Sequence, residues 1–245
     1  MGLTQLLLEK FVLLLYNISL MLNTLRKTFL GFIFSLLSVL TSLSQGEAKI
    51  WYFGNQAGLD FNTNPPTILT NNAIPGNWYS TAVMSDAAGN LLFYSNGQNI
   101  WDKTHAIMAN GSGLSVNSNN GSQNVLIVKK PGSATNYYVF HSQWNTLATA
   151  GLYYTEVNMS LAAGNGSVIA KNIPLAVINA SMTTGKLTAT KHCNGTDIWV
   201  TGRDWQTNWG GPVTTVTVNN SFRSFLVTTA GINTTAVIST PNTYT

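Results

Sequence analysis

The chain has 245 residues, enough for one large domain or two small ones with a proper core. Hydrophobic residues make up 44% and charged residues only 8%, which excludes a charge-rich disordered chain, a coiled coil and a basic nucleic-acid arm. Twelve Lys and Arg stand against eight Asp and Glu, a net charge of +4. The resulting pI of 9.2 therefore rests on a handful of residues. Thr, Ser, Asn and Gly take the place of charge, as on an extracellular β-rich protein with a polar, uncharged surface.

Two apolar runs open the chain, Leu6 to Met21 and Phe29 to Leu40. The second follows Arg26 and Lys27 and precedes Thr41-Ser42-Leu43-Ser44-Gln45. A positive flank, a short apolar stretch and then small residues form the layout of a secretory signal peptide, with cleavage expected after Ser44. Residues 1–44 are thus read as a leader and 45–245 as the folded part. The second run is shorter than the roughly 20 apolar residues a bilayer span requires. A membrane anchor, or a helical hairpin made with the first run, is the alternative. Met21 opens a more ordinary leader than Met1, so the true start is expected there. Lys10, Arg26, Lys27 and Glu9 fall in the leader, which leaves nine basic and seven acidic residues and a net charge of +2. No polyanion and no nucleic-acid partner is implied. Cys193 is the only cysteine, so an intrachain disulfide is excluded despite the exported context.

After residue 45 no apolar period of 3.6 is sustained. Short runs rich in β-branched and aromatic residues recur between Asn, Gly, Pro and Ser clusters, the pattern of strands and turns. Ser80–Ser85, Asn124–Lys129 and Lys186–Lys191 form one repeating set, each followed by a turn and by a second strand: Leu91–Tyr94, Tyr137–Phe140 and Ile198–Thr201. Third and fourth strands are expected at Asn99–Trp101 with His105–Met108, Leu152–Val157 with Met159–Leu161, and Phe222–Val227 with Ile232–Ile238. Four antiparallel strands returning in this way predict an all-β chain of β-propeller blades. An immunoglobulin-like sandwich competes, but it leaves the threefold return of one strand-turn-strand pair unexplained. Ala48–Gly54 with Gly58–Phe61 reads as the outer pair of a further blade. The expectation is an incomplete ring: about three blades plus an N-terminal half-blade, its remaining blades lying in missing C-terminal sequence or supplied by an oligomer.

Lys49-Ile50-Trp51-Tyr52-Phe53-Gly54-Asn55-Gln56-Ala57-Gly58-Leu59-Asp60-Phe61-Asn62 resembles the start of the mature region in large secreted proteins of the Bacteroidetes. The likeness continues through Ser85-Asp86, Gly89 to Gly97 and Met108 to Gly111, and resumes at Lys186 to Ala189, Lys191-His192 and Asn194-Gly195. The resemblance implies an N-terminal propeller of the WD-repeat/YVTN kind. It also implies export by the type IX secretion system, since many such proteins end in a gliding-motility-associated, type B sorting domain. No sorting domain is present in these residues, so surface attachment is implied by resemblance alone. The resemblance carries no catalytic residues.

Carboxylates are scarce: Glu47, Asp60, Asp86, Asp102, Glu156, Asp197 and Asp204 follow the leader, none beside another. Glycoside hydrolysis needs a facing pair. A propeller-type glycan hydrolase or lyase with further acids in missing blades is therefore the alternative to a non-catalytic module. Asp86 to Asn90 lacks the alternating acids of a calcium loop and reads as a hairpin turn. His105, His141 and His192 have no metal-ligand spacing, and neither a metal nor another cofactor is expected. What remains is aromatic. Loops joining second to third strands share one propeller face with loops between blades. They carry Trp78 and Tyr79, then His141 to Trp144, then Arg203, Asp204, Trp205 and Trp209. Trp78, Tyr79, Trp144, Arg203, Trp205 and Trp209 are the candidate ligand-binding patch, for a polysaccharide or a surface protein. Packing of these rings over blade edges is the competing reading. The expected role is a secreted or cell-surface binding or adhesion module without catalysis.

Overall fold

The computed structural model describes residues 2–40, 46–76, 80–115, 123–143, 151–177, 182–205 and 221–240. The chain divides into two compact units, Met1–Gln45 and Gly46–Thr245.

The first unit is a single helix, α1 (Gly2–Leu40). The two apolar runs are thus one continuous helix and not a hairpin. The polar stretch between them stays within the helix, and its hydroxyls are satisfied by the preceding turn: Thr24 Oγ1 donates to the Leu20 carbonyl at 2.9 Å and Thr28 Oγ1 to the Thr24 carbonyl at 3.0 Å. Within α1, Leu7–Gly31 is 25 residues long with a mean hydropathy of 1.3, long and apolar enough to cross a membrane. A signal sequence has the same character, so α1 is compatible with export.

The second unit is mostly β. Its strands are β1 (Ile50–Gly54), β2 (Ala57–Asp60), β3 (Thr67–Leu69), β4 (Ala82–Ser85), β5 (Leu91–Ser95), β6 (Asn99–Asp102), β7 (Ile107–Ser112) and β8 (Val125–Lys129). There follow β9 (Asn136–Gln143), β10 (Gly151–Asn158), β11 (Ser167–Val177), β12 (Met182–Lys191), β13 (Ile198–Trp205), β14 (Phe222–Thr228), β15 (Gly231–Ile232) and β16 (Val237–Ser239). Strands β1-β2-β3 form one antiparallel sheet, and β12-β13-β14-β15, with β16 also on β14, form another. Between these comes an eight-stranded sheet in the order β4-β5-β6-β7-β11-β10-β9-β8. It consists of two antiparallel meanders, β4–β7 and β8–β11, whose β7 and β11 meet at a parallel bridge between Ser167 and Ala109 and through side-chain bonds such as Asn110 Nδ2 to the Val168 carbonyl. Its two end strands come back beside each other, so the sheet nearly closes on itself.

The turns between first and second strands follow from Asp, Asn and Gly chemistry. Asp86 Oδ1 accepts the backbone N–H groups of Ala88 and Asn90, both at 2.9 Å, and Gly89 supplies a φ of +92°. The bonds from Asn90, above all its side-chain amide, hold the Asp86 carboxyl below its ordinary pKa. Asn194 Oδ1 likewise accepts Thr196 N and Asp197 N at 3.0 Å ahead of β13.

Alternating side chains feed different cores, so the second strands are apolar on both faces. Tyr94 with Ile50, Tyr52, Ile74 and Trp101 fills the layer between β1–β3 and β4–β7. Its neighbour Phe93 turns the other way, joining Met84, Ile100, Val139 and Val157 between β4–β7 and β8–β11. In β9, Val139 enters that layer, while Tyr138 and Phe140 enter the next with Leu187, Val200, Phe225 and Val227. The described residues thus hold three apolar clusters, one of them enclosed between the two halves of the eight-stranded sheet.

Three expectations are corrected. The N-terminal piece has three strands, β1 to β3, and not a pair. Met159–Leu161 is no strand: Asn158 Oδ1 accepts both N–H and Oγ–H of Ser160, at 2.9 and 2.7 Å, and closes a turn. The fourth strand of that group is β11, whose Asn172 and Pro174 disguise it in the sequence. Pro174 is accommodated because β11 pairs with β10 on one side and with β7 only at Ser167. His105 lies in a turn with φ +68°, and its strand starts at Ile107.

Candidate functional site

The first strands of successive groups come together at one end. Val125 N donates to Ser80 Oγ at 3.1 Å, linking the start of β8 to the residues entering β4. Gln123 N donates to the Gly185 carbonyl at 2.8 Å and Leu187 N to the Gln123 carbonyl at 3.1 Å. These bonds form a parallel bridge between Gln123 and Lys186. Registers bring further strand ends alongside: His141 opposite Val125, Gly151 opposite Gln143, Trp205 opposite Met182, and Phe222 opposite Arg203.

Of the six candidate residues, Trp78, Tyr79, Trp144 and Trp209 lie outside the described residues. Arg203 and Trp205 are at this end, in strand β13 and not in a loop. The ladder to β12 extends this far, pairing Asp204 with Thr183 and Trp205 with Met182. The structure thus places the backbones of Arg203 and Trp205 where the sequence pointed, but on a fixed element. His141, expected in the neighbouring loop, is a fully buried residue of β9.

Arg203 lines a cleft of about 350 Å³ with Gln123, Lys186, Thr188, Thr201 and Phe222. Strand alternation explains this lining. Leu187, Val200 and Phe225 face the apolar layer, so Thr188, Thr201 and Ser224 turn outward. Thr188 opposes Thr201 and Thr201 opposes Ser224, with the latter two hydroxyls 2.8 Å apart. The cleft thus combines two cationic side chains, an amide, hydroxyls and the edge of a sheet capped by an aromatic ring. Among its described lining side chains there is no carboxylate. Sequence reasoning found Arg203 but missed Lys186, Thr188, Thr201, Gln123 and Phe222. The available signal was alternation: Thr188 and Thr201 are the polar members of strands whose other face is apolar.

Several described carboxylates elsewhere are engaged in holding the fold. Asp60 Oδ1 accepts Asn62 N at 2.8 Å, and Asp102 Oδ1 accepts Thr104 N and Thr104 Oγ1 at 2.8 and 2.6 Å. Glu156 accepts Asn136 Nδ2 at 2.9 Å and lies 3.6 Å from Lys130 Nζ. Glu47 pairs loosely with Lys129 at 3.8 Å. His141 Nε2 contacts Thr155 Oγ1 at 3.1 Å, its ring stacks on Tyr153, and burial pushes its pKa down to about 3. Exposed Cys193 has its Sγ 3.6 Å from His192 Nδ1. Among the described residues, no group of three or more His, Cys, Asp or Glu could hold a metal ion.

No family model, no curated protein and no solved structure matches the chain.

Proposed function

We propose that the chain is a run of β-propeller blades, exported to the cell surface or beyond, that binds a ligand without transforming it. The observation that carries the binding reading is the polar, cation-bearing cleft at Arg203, built on paired strands at the end where first strands meet. A site on fixed strands holds its side chains in place better than one on a free loop.

The propeller reading is supported by meanders of four strands in chain order, by the parallel bridge between first strands at Gln123 and Lys186, and by sheets that bury both faces against their neighbours. In this reading β1–β3 belong to a further blade. Export is supported by the apolar α1 and by the low charge. The Lys49–Asn62 and Gly89–Gly97 strings support kinship with the N-terminal propellers of Bacteroidetes proteins carrying gliding-motility-associated sorting domains.

The test is retention of the purified chain on a glycan array and on cell-surface extracts, beside a folded Trp205→Ala/Trp209→Ala variant and an Arg203→Gln variant. Retention that weakens in the variants is the expected result. Retention unchanged in all of them removes the site.

A further inference from the structure

The geometry points to a carboxylated pyranose, the repeating unit of an acidic polysaccharide such as a polyuronate, as the ligand of the cleft at Lys186 and Arg203. This rests on the reading of the chain as a binding module. The cleft volume, about 350 Å³, is at the lower end of the roughly 300–1,000 Å³ typical of small-molecule sites. It suits a short stretch of a chain-like ligand lying along the strands.

Each part of a uronate residue finds a partner of matching chemistry. Lys186 is exposed and forms no ion pair with a described residue, so its ammonium is available to a carboxylate. Arg203 adds a second positive charge to the lining of the same cleft. Thr188, Thr201 and Gln123 offer the donors and acceptors that sugar hydroxyls exchange with. Phe222, 38% exposed at the rim, supplies an apolar face for the C–H side of a sugar ring.

The alternatives fit less well. A nucleic acid needs a basic stripe, whereas the folded part carries nine basic and seven acidic residues, and only two cations sit here. A further apolar sheet is a poor occupant, because the central positions Thr188, Thr201 and Ser224 are polar. The equivalent faces between the other sheets carry Phe93, Val139, Tyr138 and Phe140.

The experiment is isothermal titration of the purified full chain with polygalacturonate, with dextran and with dextran sulfate, at low and at raised salt. Polygalacturonate should bind, and dextran should bind at least about tenfold more weakly. Raised salt and Lys186→Glu should each cost about tenfold or more, with the circular dichroism spectrum unchanged. Phe222→Ala should weaken polygalacturonate and leave the salt dependence intact. Dextran binding as tight as polygalacturonate, with Arg203→Gln weakening both, overturns the acidic class but keeps the binding module. Tighter binding of dextran sulfate reduces the site to simple ion exchange, and full binding by Lys186→Glu shows that Lys186 does not hold the carboxylate; either overturns the inference. Binding of none of the three, and none of the array glycans, overturns the inference and the binding-module reading together.

Discussion

The Ser80 hydroxyl accepts the Val125 backbone N–H at 3.1 Å, and so fastens the entry of one four-stranded group to the first strand of the next. Both residues are buried, at 8% and 2% exposure, so water cannot replace the bond. Serine at this point joins the two ends of the eight-stranded sheet, which no local turn rule requires. Ser80→Ala leaves a buried N–H without its acceptor, which costs about 1–3 kcal/mol. Urea denaturation should show a lower midpoint at an unchanged slope. An unaltered midpoint would mean the two groups are joined by apolar packing alone.

His141 makes the stability of the second unit depend on pH. Its folded pKa is about 3, pushed down from the ordinary 6.5 by burial. The folded ring therefore stays neutral where the unfolded ring takes up a proton. Stability is complete above pH 6.5 and falls as the pH drops from there toward 3, by about 1.4 kcal/mol per pH unit from this residue. Asp86, whose folded pKa is depressed by its bonds from Asn90, adds a smaller loss in the carboxylate range, since solvent screens this half-buried group. His141→Gln should flatten the loss between pH 6 and 4.5 in denaturation midpoints measured across that range. A slope the same as that of the parent chain would assign the acid sensitivity elsewhere.

The three apolar layers are shared between sheets, so damage in one should be felt by the whole second unit. Phe140 is fully buried between β8–β11 and β12–β14 beside Val200 and Phe225. Phe140→Ala should cost about 3–5 kcal/mol. Tryptophan fluorescence and far-ultraviolet circular dichroism should report one shared, lowered transition. Two separated transitions would show that the sheets fold independently.

Tyr94 joins several parts of its layer through one side chain. Its ring stacks on Trp101 with centroids 5.4 Å apart, and its hydroxyl accepts Ala73 N at 2.8 Å and contacts His105 Nδ1 at 3.1 Å. Tyr94→Phe keeps the stacking and removes the acceptor of the Ala73 N–H, for a loss of about 0.5–1.5 kcal/mol. Hydrogen exchange should speed up at Ala73 before it does within β5. Uniform exchange at both would contradict this division of labour.

The second strands were legible because they are runs of β-branched and aromatic residues, buried on both faces in β5 and β9: Leu91–Tyr94, Tyr137–Phe140 and Ile198–Thr201 all fall inside observed strands. Edge strands were harder, because an edge bears less burial and tolerates odd residues. β11 carries Pro174 and a left-handed Asn172 (φ +56°), and β3 exposes Ile68 at 75%, so neither has the apolar alternation by which a strand is recognised. The cleft was half legible for a related reason. Aromatic and charged residues in turn-rich sequence drew attention to Arg203 and Trp205. The ladder that makes them part of a strand depends on Met182 and Thr183, more than twenty residues away. Lys186 and Gln123 meet through a parallel bridge between strands that are not neighbours in the chain, which no local pattern encodes.

The central claim, binding without catalysis at the Arg203 cleft, is tested most directly by incubating the purified chain with an acidic polysaccharide it retains. Bound polymer and newly formed chain ends are then measured in the same samples, for the parent chain and for Arg203→Gln. The account predicts retention that falls in the variant, with no accumulation of new reducing ends or unsaturated uronates over many hours. Steady release of either product by the parent chain, or retention indifferent to Arg203, would contradict it.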